Sequence, residues 1–72
     1  MPGKIEKYEL CASCRKIGPV GSQDNSNSIE NILDSKGYSH PVSRNMLNMS
    51  ILTLLEKNGG CPACINLVKS VL

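Results

Sequence analysis

The chain has 72 residues, 40% apolar, 3% aromatic and 19% charged, with a net charge of +2. That length holds one small domain and leaves no room for a two-lobed enzyme with a substrate cleft. The charge is too sparse for a dense basic surface, and the apolar content argues against disorder throughout.

With two tyrosines and no Phe or Trp, the interior must be built from Ile, Leu, Val and Met. A domain of this size buries only about 60% of the surface its unfolded chain exposes. It therefore needs a staple: a metal, disulfides or a partner chain. The segment Met1–Lys7 is charged and lacks the apolar run of a secretory signal. No stretch approaches the ~20 apolar residues of a bilayer span. The expected location is cytoplasmic, and in a reducing compartment spaced cysteine pairs serve metal or redox chemistry.

In chain order, Lys4–Leu10 alternates weakly and reads as a short strand or extended arm. It leads into Cys11-Ala12-Ser13-Cys14 and the basic pair Arg15-Lys16. Residues 18–28 (GPVGSQDNSNS) have loop composition and are expected to be flexible. Ser28 can cap a short helix with Ile29, Ile32 and Leu33 on one face and Gly37 beyond its end. Tyr38–Pro41 reads as a turn. Ser43 then caps the longest helical pattern, Arg44–Asn58, closed by Gly59-Gly60. On it Leu47, Ile51, Leu54 and Leu55 make one stripe, which Leu52 widens, while Met46 and Met49 fall towards the opposite side. Asn48, Ser50 and Thr53 stand where a surface helix usually carries charge. Finally Cys61-Pro62-Ala63-Cys64 opens a helix with Ile65, Val68 and Leu72 on one face, and Pro62 suits its first turn.

The two Cys-x-x-Cys pairs carry the chemistry. Zinc takes four soft ligands in a tetrahedron, at ~2.3 Å for sulfur. Two residues between cysteines let one pair supply half of that shell. The four ligands would be Cys11, Cys14, Cys61 and Cys64, holding one Zn2+. The 46 residues between the pairs then form a helical insert over 29–58. A cysteine knuckle plus a cysteine-bearing helix start resembles the treble-clef class of zinc fingers, which implies a zinc-stabilised, small α+β, mostly helical fold with two or three short helices. Cys11-Ala12-Ser13-Cys14-Arg15-Lys16-Ile17, followed by Ser39-His40 and the Cys-Pro-x-Cys, resembles the CASCKKI…SH…CPxC segment of bacterial sensor and response-regulator proteins. That likeness implies a bacterial or phage signalling or transcription context. It departs from the family in the twenty residues between His40 and Cys61. His40, beside Pro41 in a polar turn, reads as a solvated or capping group.

The function expected from these residues is a non-enzymatic adaptor or regulatory module with no small-molecule substrate. It would bind another protein, or itself as a homodimer, through Met46, Met49 and Leu52. One alternative is a nucleic-acid-binding zinc finger using Arg15, Lys16, Arg44 and Lys69. A second is a dithiol redox protein, because Cys61-Pro62-Ala63-Cys64 at a helix start resembles the glutaredoxin dithiol. Four thiolates also suit an iron–sulfur cluster.

Overall fold

A computed structural model describes residues 3–18 and 28–72. The loop expected over 18–28 lies, at residues 19–27, outside the described residues. The described part is mostly helical and contains no strand. Four helices follow one another: α1 (Ala12–Arg15), α2 (Ile29–Asp34), α3 (Pro41–Lys57) and α4 (Pro62–Val71). Two 3-10 turns, Lys7–Glu9 and Lys36–Ser39, precede α1 and α3. No helix among the described residues is long and apolar enough to cross a membrane.

The α+β expectation needed a strand at Lys4–Leu10, and none forms. The segment has no neighbouring strand to pair with, so side chains satisfy its backbone instead. The Ile5 N–H donates to the Tyr38 hydroxyl at 2.7 Å, and Asn48 Nδ2 donates to the Gly3 carbonyl at 3.0 Å. The Gly3 N–H reaches the Val71 carbonyl at the end of α4, at 2.8 Å. A Cβ on Gly3 would lie 2.9 Å from Val71 Cβ, so this approach suits glycine. Glu9 folds its carboxylate back onto the Glu6 N–H and closes the first 3-10 turn.

Helix α3 begins three residues earlier than Ser43 predicts. His40 holds the N-cap position and Pro41 the first turn, where a missing N–H costs nothing and the preset φ is helical. The preceding 3-10 turn is fastened by Arg44. Its Nε donates to the Tyr38 carbonyl at 2.8 Å and its Nη2 to the Ser39 carbonyl at 3.1 Å, with the guanidinium over the Tyr38 ring. Ser28 does precede α2, but its hydroxyl accepts from Asn31 Nδ2 rather than from the helix backbone. That helix stops at Asp34, before Gly37 is reached, because Ser35 bonds back to the Ile32 carbonyl through both its N–H and its hydroxyl.

The buried face of α3 is centred on Asn48, Ile51 and Leu55. Leu47, Leu52 and Leu54 form its half-buried shoulders. Asn48, which composition places among the outward polar residues, is fully buried. Its Oδ1 accepts from the Tyr38 hydroxyl at 2.9 Å, which completes a chain of bonds from Ile5 through Tyr38 and Asn48 to Gly3. Burial raises the pKa of Tyr38 and keeps the hydroxyl protonated as a donor. On α4, Cys64 and Val68 are buried and Ile65 is half-buried, while Leu72 is exposed, contrary to its place in the expected stripe. Ile5, Leu10, Ile29 and Leu33 close the core around these helices.

Candidate metal centre

Both cysteine pairs are built by the same local device. Cys11 and Cys61 are N-cap residues with extended backbone (φ −70° and −63°), and Cys14 and Cys64 sit in the first turn of the helix that follows. The carbonyl of each N-cap cysteine accepts the first helical hydrogen bond, from Arg15 at 3.0 Å and from Ile65 at 2.9 Å. A cap and its first turn point both side chains to the same end of a helix, which is why two intervening residues suffice. The outcome is a repeated alternation: Cys11 and Cys61 are exposed, Cys14 and Cys64 buried.

Glycine delivers the second pair. Gly59 takes φ 69°, the left-handed conformation that ends α3, and the Gly60 N–H donates to the Leu55 carbonyl at 2.7 Å. This is a Schellman termination. A Cβ on Gly60 would stand 2.6 Å from Leu55 Cδ2, so the chain presses against α3 just before it turns into Cys61. The Cys61 N–H then lies 3.4 Å from Cys14 Sγ and donates to it across the two pairs.

The four Sγ atoms all lie within 4.8 Å of one another. Cys11 Sγ is 3.4 Å from Cys61 Sγ and 3.9 Å from Cys64 Sγ. A tetrahedron of sulfurs at ~2.3 Å from a central ion has edges of about 3.8 Å. The cluster therefore has the dimensions and the donor type to hold one metal ion.

Its charge distribution points the same way. The Cys14 backbone N–H, helped by the thiols of Cys14 and Cys61, holds the Cys11 thiol down to about 6. The hydrogen bond to Cys11 pushes Cys61 up, because a neighbour already bears the negative charge. Burial pushes Cys14 and Cys64 up. A divalent cation at the centre of the cluster would let all four sulfurs ionise and bind.

The cluster is made of the four cysteines alone, and Arg15 follows Cys14 directly. His40 is exposed at the start of α3 and makes no side-chain capping bond. Met46 and Met49 are 67% and 55% exposed, whereas Leu52 packs partly against the core. Val42, 80% exposed, shares the face of the two methionines; its place inside the helix follows from the earlier start at Pro41. Arg44 is turned onto Tyr38 and Ser39. Lys16 and Lys69 are exposed and Arg15 is half-buried. Tyr38 and Asn48 are not evident from the sequence, and the available signal was an Asn between Leu47 and Met49 with Ile51, Leu52 and Leu55 one and two turns on.

No protein-family model, curated protein or solved structure matches the chain.

Proposed function

We propose that the chain is a small zinc-binding module that acts by holding a surface for another protein rather than by catalysis. The observation that carries the metal reading is the convergence of four cysteine sulfurs within 4.8 Å from two helix starts. Four thiolates at tetrahedral spacing are the donor set of structural zinc sites, which leave no open coordination position for a substrate. Sulfurs 3.4 and 3.9 Å apart favour one ion over an iron–sulfur cluster, which sets inorganic sulfide between the cysteines. The treble-clef likeness concerns the two cysteine-bearing segments and not a hairpin. Elemental analysis and native mass spectrometry test the reading: one zinc per chain is expected, with loss of helical circular dichroism on chelation. A reduced, metal-free chain that is fully helical would overturn it.

The surface is the outer face of α3, where Val42, Met46 and Met49 recur at i, i+4 and i+7. Three exposed apolar side chains in a row suit the apolar stripe of a partner helix, and methionine adapts readily to such a stripe. A partner retained by Tyr8→Ser, a change at an exposed tyrosine in the first 3-10 turn, but lost with Met46→Glu and Met49→Glu, at unchanged zinc content, is the expected result. Equal capture by all these variants would exclude the α3 face. Arg44, being engaged with Tyr38 and Ser39, does not add to a phosphate-binding stripe.

A further inference from the structure

We propose that the two exposed cysteines form a redox clasp: an oxidant of the peroxide class joins Cys11 to Cys61, and this covalent link takes over the role of the metal. The inference rests on the zinc reading for its starting state, and on separate observations for its outcome. Each cysteine pair has one outer and one inner sulfur, and the two outer ones belong to different pairs. They lie 3.4 Å apart, closer than Cys11 lies to Cys64. A disulfide needs about 2.05 Å between sulfurs and side chains that face each other. The 3.4 Å between Cys11 Sγ and Cys61 Sγ puts the two sulfurs in direct contact and exceeds the bonded length by a little over 1 Å. Both stand at N-cap positions, before the regular helix begins. A small adjustment there leaves α1 and α4 in place. Cys14 and Cys64, buried at the base of the cluster, are shielded from solvent oxidant.

The chemistry closes with hydrogen peroxide as the two-electron acceptor. One outer thiolate attacks peroxide oxygen, the O–O bond breaks, and a sulfenic acid and hydroxide result. The second outer thiolate attacks that sulfur, the S–O bond breaks, and the S–S bond forms. Two protons from solvent convert both hydroxides to water. Two thiolates have lost one electron each, and the metal ion has not changed oxidation state. The cluster then offers two ligands instead of four and loses its hold on the ion.

The consequence differs from that of a disulfide within either pair. A bond from Cys11 to Cys14 or from Cys61 to Cys64 would close only a short loop and leave the segments before α1 and α4 untied. A bond from Cys11 to Cys61 joins the same two segments that the metal joins, across 50 residues of sequence. The oxidised chain keeps its fold while giving up zinc.

Wild-type protein of measured zinc content is treated with hydrogen peroxide, alkylated and digested with trypsin. Zinc is followed with a chromogenic chelator and helix content by circular dichroism. Cleavage after Lys7 and Arg15 isolates Cys11 with Cys14, and cleavage after Lys57 and Lys69 isolates Cys61 with Cys64. The expected product is one cross-linked peptide pair, bonded between Cys11 and Cys61, with Cys14 and Cys64 alkylated. Zinc release should rise in proportion to the cross-link, and the oxidised chain should stay helical in chelator. A disulfide within either pair, links between chains, or oxidation without zinc release would overturn the proposal. Protein isolated without metal would defeat the zinc reading; the disulfide map would still decide which sulfurs pair.

Discussion

Two of the ties that hold the N-terminal segment to the rest of the chain work differently. At Cys11 and Cys14 it meets α4 through sulfur atoms that bind strongly only when a cation neutralises them. At Gly3 and Ile5 it meets α3 and the 3-10 turn before it, through the Asn48 amide and the Tyr38 hydroxyl, neutral groups that complete one another unaided. No buried side-chain nitrogen or oxygen among the described residues is left without a partner. The first tie is conditional on a ligand. The second is unconditional but limited to what a few neutral hydrogen bonds contribute, about 1 kcal/mol each in net terms. On the zinc reading, the first supplies cohesion that a small core lacks and the second sets register.

Removing the metal should therefore have the largest effect. Chelation of the reduced protein, or Cys14→Ser, is expected to abolish cooperative thermal unfolding, read by circular dichroism. A sharp transition surviving in either case would show that the neutral tie suffices. Next, Asn48→Ala removes both an acceptor and a donor from a fully buried site and leaves a gap. We expect a loss of about 2–4 kcal/mol in denaturant unfolding of the zinc-loaded protein, with zinc stoichiometry unchanged. Tyr38→Phe deletes one oxygen, strands the Ile5 N–H and should lower stability by about 1–3 kcal/mol.

The raised pKa of Tyr38 adds a pH signature to that comparison. The unfolded phenol ionises first, near its ordinary pKa of about 10. The contribution of Tyr38 is thus full below that value and declines as pH rises towards the folded pKa. The stability difference between wild type and Tyr38→Phe should narrow over this alkaline range; a constant difference would contradict the buried-hydroxyl assignment. The smallest effect is expected at the surface. Lys7 bonds Asp34 at 2.9 Å and lies 3.7 Å from Glu30, and its pKa is raised chiefly by the Asp34 bond. All three side chains are solvated, so Lys7→Ala should leave the unfolding midpoint within error of wild type.

The same contrast explains what the amino-acid order made legible. The cysteine pairs, Pro62 and Gly59-Gly60 signal through local rules: spacing, a missing N–H, a left-handed cap. Those elements appear where the residues place them. The strand at Lys4–Leu10 and the outward reading of Asn48 failed because their outcome depends on residues far away in the chain. Gly3 and Asn48 are 45 positions apart, and Ile5 and Tyr38 are 33. Alternation cannot tell a strand from an arm whose partners are side chains, and helical periodicity cannot tell a solvated Asn from one completing a buried chain of bonds. The misplaced start of α3 is milder: Ser43 and Pro41 both favour a helix start, and proline won.

The repeated helix start has one more consequence. Because Cys11 with Cys14, and Cys61 with Cys64, each take their shape from a cap and a single turn, neither pair depends on the length of chain that separates them. The outer face of the intervening span is free to change while the sulfur cage keeps its dimensions. The architecture is in effect a buckle of fixed size on a strap whose outer side can be rewritten.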